Sequence, residues 1–203
     1  MDRIQLKEKA KAQLKGHWAV AIGTVLVGTI LLGLSASVNK LATQHGSLRG
    51  LSISVDIFSL IFDGFLTVGL CRFLLNYADN NDTARFADLF SQGNVFFKAM
   101  GLNLLYGLIV VGGCILLVVP GVIWALMFSQ AFYILAEDNS KGIIECLRES
   151  KEMMYGKKLD LFILKLSFLG WHILAIFTLG ILELWVNPYQ KLTETYFYLD
   201  LSK

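Results

Sequence analysis

The sequence predicts an all-α protein, a polytopic membrane helix bundle with about six transmembrane helices. They form three hairpins, each preceded by an amphipathic helix at the cytoplasmic surface. Two observations carry this. Of the 203 residues 55% are hydrophobic and 17% charged, against about 25% charged in soluble domains. Mean hydropathy is +0.58, and the apolar residues lie in blocks too long for an ordinary core helix. Secondly, a charged stretch three times ends at a glycine and runs into an apolar block: residues 5–15 then Gly16, 82–92 then Gly93, 141–155 then Gly156. Such recurrence reads as a repeated structural unit. The length fits one integral membrane domain, 1–203, with modules 1–76, 77–138 and 139–203.

The first lead-in is Lys-rich, with Ile4, Leu6, Ala10 and Leu14 on its apolar side. Gly16 suits its end, because glycine enters the left-handed region without a Cβ clash. Trp18 stands where an interfacial aromatic is expected, and the first span covers 18–34. Residues 38–50 are polar and form an outside loop. The second span, 51–75, carries Asp56 and Asp63 seven apart, hence on one face, and Arg72 closes it. Asp79, Asn80, Asn81 and Asp82 offer caps for the second surface helix, which places Phe86, Leu89 and Phe90 on one side. The third span covers 99–119. Pro120-Gly121 marks a turn or kink, and the fourth span, 122–136, is short. Acids at 137–138 open the third surface helix, on which Ile143, Ile144, Leu147 and Met154 face one way. The fifth span is 159–177, with a turn at 178–180. The last segment, 181–199, contains Glu183, Asn187, Pro188, Gln190, Lys191 and Glu194. It either spans with a face turned away from lipid or stops near Val186 and continues as a surface helix.

Net charge is +2, but lysine and arginine concentrate in 3–15, 72–98 and 141–158. The positive-inside rule therefore places those stretches, and both termini, in the cytoplasm. Acids interleave with the bases, which argues against a nucleic-acid partner. The expected partners are the lipid bilayer, anionic lipid head groups at the cytoplasmic face, and a membrane protein. A cleaved signal peptide ending near Ala36 is a weaker alternative, since the lead-in contains Asp2 and Glu8. Cys71, Cys114 and Cys146 have no disulfide or metal spacing.

Five intramembrane polar residues are the candidate site: Asp56, Asp63, Lys165, His172 and Glu183. A carboxylate mid-span costs on the order of 3 kcal/mol or more, so Asp63 must be neutral, paired or facing a wet cavity. Lys165 and His172 are also seven apart. Either the two pairs build an ion or proton site, or Asp63 and Lys165 form a structural pair. Glu183, Lys191 and Glu194 either line a polar groove or lie at the two membrane surfaces. His17, His45 and His172 lack ligand spacing, and no nucleophile elbow or phosphate loop is present. No catalytic residue, metal or cofactor is expected.

The run Val119-Pro120-Gly121, the stretch 128–138, Leu147-Arg148-Glu149-Ser150-Lys151, Gly156-Lys157, Leu179-Gly180-Ile181 and Pro188-Tyr189 together resemble an uncharacterised family of small bacterial integral membrane proteins, domain of unknown function 975. The chain is similar, more loosely, to the membrane domain of some glycerophosphodiester phosphodiesterases. The resemblance implies a multi-pass protein of the bacterial plasma membrane and carries over no catalytic residue. Two functions follow: a non-enzymatic scaffold, assembly or envelope-associated module, or a small carrier or channel for an ion, lipid or amphiphile that uses the polar stripe.

Overall fold

The computed structural model describes residues 3–44, 49–80, 84–178 and 180–203, and the side chains of these except 32–61. The α-helices among them are α1 Arg3–Leu14, α2 Trp18–Gln44, α3 Arg49–Asp79, α4 Phe96–Leu116, α5 Val118–Phe128, α6 Ala131–Glu137, α7 Ile143–Met153, α8 Lys158–Phe177 and α9 Glu183–Leu201. No strand occurs among the described residues.

Gly16 and Gly156 end their lead-ins with φ of 92° and 73°, and Gly180 turns the α8–α9 hairpin at 84°. These are left-handed values that a side chain rarely adopts. Past Gly16 the axis swings by 106° between α1 and the first part of α2. Helix α1 thus lies across the end of the bundle and packs along α9. Its Leu6, Ala10 and Leu14 are buried in the protein's own core, and only Ile4 of the expected apolar side is exposed.

The second lead-in differs from expectation. It forms two short 3-10 turns, Phe86–Phe90 and Gly93–Val95, and Gly93 opens the second instead of ending a helix. Tertiary contacts override the helical pattern here. The Asp88 carboxylate accepts hydrogen bonds from the Arg85 amide and from Asn76 Nδ2 on α3, both at 3.0 Å. The backbone also presses on α3: a Cβ added at Gly69 would lie 1.9 Å from the Leu89 carbonyl oxygen.

The break after the third apolar block falls at Leu117 (φ −168°, ψ 151°), and Pro120 sits in the first turn of α5, where a missing N–H costs nothing. Gly113 and Gly121 bring α4 and α5 into close contact, since a Cβ on Gly113 would stand 2.8 Å from the Gly121 Cα. The fourth apolar stretch is itself interrupted at Ser129-Gln130. Beyond the break, Ala131–Ala136 of α6 are all buried, as a helix apolar on every side must be. Arg72 Nη1 donates to the Ala136 carbonyl at 3.3 Å, a cation at the C-terminal end of α6.

On α7, Cys146 and Leu147 are buried, but Ile144 is 69% exposed, so the expected face is split. Among the described residues three helical stretches are long and apolar enough to cross a membrane, 86–116, 118–137 and 158–177, or four if the bent α1–α2 pair is one span. Helix α9 is not among them. The hairpin tips Ile115–Val119 and Ile176–Phe177 expose large apolar side chains, a surface suited to a membrane.

Candidate functional site

Seven residues are close to two helical turns, so Lys165 and His172 share one face of α8. The same spacing puts Glu183 and Gln190 on one face of α9, with Glu194 a turn further. The tight turn at Gly180 folds α9 back along α8, and the two stripes meet.

The result is a connected polar seam. His172 Nδ1 stands 3.1 Å from Glu183 Oε2, and its Nε2 stands 2.6 Å from Gln190 Oε1. Gln190 Nε2 donates to Glu194 Oε1 at 2.9 Å. Lys165 Nζ lies 3.2 Å from that same oxygen. The Glu194 carboxylate is an acceptor only, so it fixes the orientation of the Gln190 amide and turns the amide oxygen toward His172. Both ring nitrogens of His172 therefore face acceptor oxygens. A neutral ring has one N–H and so donates to only one of the two.

Two cavities flank the seam. One, of about 130 Å³, is lined by Thr67, Cys71, Tyr133, Lys165, Lys191 and Glu194 among others. The other, of about 290 Å³, opens between α5 and α8. Tyr106, Ser129 and Lys165 line both. Glu194 is 8% exposed, so its charge is balanced inside the protein by Lys165 and the nearby Lys191.

Of the five candidates, the structure joins Lys165, His172 and Glu183. Asp63, half-buried on α3, sits one turn before Thr67, whose hydroxyl donates to the Asp63 carbonyl at 2.7 Å. Lys165 pairs with Glu194, because α9 packs on the Lys165 face of α8. The side chain of Asp56 lies outside the described residues. Gln190 is not among the five candidates, and the sequence offers Glu194 only for a polar groove or a membrane surface. The signal for Gln190 is its seven-residue spacing from Glu183, which copies that of Lys165 and His172, and Glu194 follows one helical turn later.

A second polar cluster lies at the α4–α7 end. Lys98 Nζ donates to the carbonyls of Asn139, Ser140 and Lys141 at 2.8, 3.2 and 3.2 Å. Asp138 accepts from the Ser140 hydroxyl and amide, which hold its carboxyl below the ordinary value. The hydrogen bond from Lys141 to Glu149, at 2.7 Å, raises the lysine. Among the described residues no group of three or more histidine, cysteine or acidic side chains is placed to hold a metal ion.

A chain that is helical throughout its described elements, with large exposed apolar side chains and a polar seam between α8 and α9, belongs to the class of helical proteins suited to a membrane. It is a member of the family described as protein of unknown function DUF975, which matches residues 1–119 and 108–203. No curated protein and no solved structure matches it.

Proposed function

We propose that this protein is a small, non-enzymatic membrane carrier of an ion, and that the ion handled by the α8–α9 seam is the proton. The observation that carries the reading is the meeting of two ionisable pairs, Lys165–Glu194 and His172–Glu183, held either side of Gln190 by contacts of 2.6 to 3.2 Å. Ionisable groups inside a membrane are costly and mark ion pathways by default. His172, Glu183 and Glu194 are the side chains of the seam whose chemistry suits a proton, and Lys165 and Lys191 beside Glu194 repel other cations. Gln190 does not ferry a proton; it fixes the distance between the two exchanging pairs. The cavity of about 130 Å³ has room for water that would reach Glu194, because one ordered water needs about 10–15 Å³ of such space.

The topology that goes with this reading is six passes in three hairpins, with the lead-ins and both termini on the cytoplasmic side of a bacterial plasma membrane. The test is proton flux into liposomes carrying the purified protein, read with a pH-sensitive dye. Flux above empty liposomes, abolished by Glu194→Gln, is expected. No flux, or flux unchanged by that substitution, overturns the proposal.

One observation favours the scaffold reading as a second function. Ile144 is exposed beside Arg148 and Lys151 on α7, where it could meet the membrane surface or a membrane protein partner. Loss of co-purifying membrane protein in Ile144→Lys, with proton flux intact, would support that reading instead.

A further inference from the structure

Three of the four tryptophans in the chain converge on one crevice. Trp18 begins α2, Trp171 lies on α8 and Trp185 on α9, and Tyr189 stands one turn beyond Trp185. Together with Lys7 and Lys11 of α1 they line a cavity of about 290 Å³. Lys7 and Lys11 are four residues apart and so share one face of their helix. Neither is ion-paired among the described residues, and no acid lines the crevice. Glu8, on the same helix, is exposed and outside the lining, though its charge reaches Tyr189 of the crevice wall and offsets part of the two lysines' field. The Lys7 ammonium stands 4.4 Å from the centre of the buried Phe168 ring, which holds it against the protein.

The arrangement has the polarity of an amphiphile. Helix α1 crosses the end of the bundle after the 106° bend, so its cations sit at one end of the crevice. Trp171 and Trp185, about half-exposed, extend the wall along the hairpin toward the apolar Phe177 tip. Tryptophan and tyrosine favour the depth where head groups meet acyl chains. We propose that this crevice is a binding site for one anionic phospholipid, its phosphate between Lys7 and Lys11 and an acyl chain along Trp171 and Trp185. Charge complementarity selects this occupant over a zwitterionic lipid or an apolar helix. The proposal is independent of the ion reading, because α1 takes no part in the Lys165–Glu183 seam.

The experiment uses the full chain with Trp124→Phe, so that every remaining tryptophan lines the crevice. The protein is reconstituted in vesicles containing either brominated phosphatidylglycerol in phosphatidylcholine or brominated phosphatidylcholine in phosphatidylglycerol. Brominated phosphatidylglycerol should reach half-maximal quenching of tryptophan fluorescence at a mole fraction at least about fivefold lower, the effect of roughly one lysine at a charged surface. Lys7→Gln with Lys11→Gln should abolish the preference. Lys9→Gln with Lys15→Gln, which alters exposed lysines of the same lead-in, should keep it, and so should Lys7→Arg with Lys11→Arg. Equal quenching by both lipids overturns the proposal. Loss of preference in the Lys9/Lys15 variant, or its survival in the Lys7/Lys11 glutamine variant, does the same.

Discussion

Lys165 Nζ lies 3.2 Å from Glu194 Oε1, and the partners are unequally buried: the lysine side chain is 40% exposed, the glutamate 10%. Removing either partner therefore has different consequences. Lys165→Met strands a buried carboxylate that keeps only Gln190 and the more distant Lys191. Glu194→Gln leaves a lysine that can extend into the adjoining cavities. Breaking a fully buried pair costs about 3–5 kcal/mol. With Lys165 partly exposed, we expect about 2–3 kcal/mol for Lys165→Met and about 1 kcal/mol for Glu194→Gln. Reversible unfolding in mixed micelles measures both, and an equal or reversed order would contradict this asymmetry.

Much of the helical pattern was legible in the sequence because its causes are local. Gly16, Gly156 and Gly180 sit where a helix must stop, and their φ values show why glycine is there. The second lead-in was not legible as built. Phe86, Leu89 and Phe90 have helical spacing, but Asp88 and the Gly69–Leu89 contact tie that segment to α3, and contacts this distant in sequence leave no local mark. The candidate site divides the same way. The stripe on α8 is visible in one helix's spacing. Its pairing with Gln190 and Glu194 depends on which helix packs against it, and a spacing of seven cannot name a partner.

The close helix contacts predict a graded glycine series. A Cβ at Gly69 would lie 1.9 Å from a backbone oxygen, and one at Gly121 would lie 2.3 Å from Cys114 Sγ and 2.9 Å from its amide nitrogen. Neither backbone can yield without moving a helix. At Gly107 and Gly112 nothing lies within 4 Å. Gly69→Ala and Gly121→Ala should each destabilise by about 1–3 kcal/mol or more, through overpacking. Gly107→Ala and Gly112→Ala should be neutral or stabilise by up to about 1 kcal/mol, through helix propensity. Melting temperatures in detergent would decide it; a Gly121→Ala variant as stable as Gly107→Ala rules out the tight α4–α5 contact.

The thiols should separate by accessibility. Cys114 is exposed on α4, whereas Cys146 on α7 is buried, and burial pushes the Cys146 thiol up to about 11 from an ordinary value near 9. The thiolate is the reactive form. At pH 8 a membrane-permeant maleimide should therefore label Cys114 first and leave Cys146 unmodified until the protein unfolds. Mass spectrometry of the labelled chain reads this directly. Because the raised thiol favours the protonated folded state, its contribution to stability holds below pH 9 and is lost as pH rises through about 11. Cys146→Ser should remove that alkaline loss. Prompt labelling of Cys146 in the folded protein would mean that α7 does not pack as described.

The turn before α7 should loosen at both ends of the pH scale, for opposite reasons. Asp138 is held below its ordinary value near 3.8 chiefly by the Ser140 hydroxyl, then by the Ser140 amide. A depressed carboxyl stabilises above its unfolded value, so this contribution fades as pH falls below 3.8. Lys141 is raised above 10.5 chiefly by its hydrogen bond to Glu149. A raised lysine stabilises below its unfolded value, so this contribution persists through neutral pH and fades as pH climbs past 10.5. Asp138 is partly exposed, so salt should weaken its part. The Ser140 amide, which donates to Asp138 at 2.9 Å, should be the reporter. After correction for intrinsic exchange rates, its hydrogen-exchange protection should be greatest between these limits and fall in Asp138→Asn at neutral pH. Lys141→Met should leave the acid limb unchanged and remove the alkaline one. Protection that stays flat from acid to alkali would show that neither side chain holds the turn.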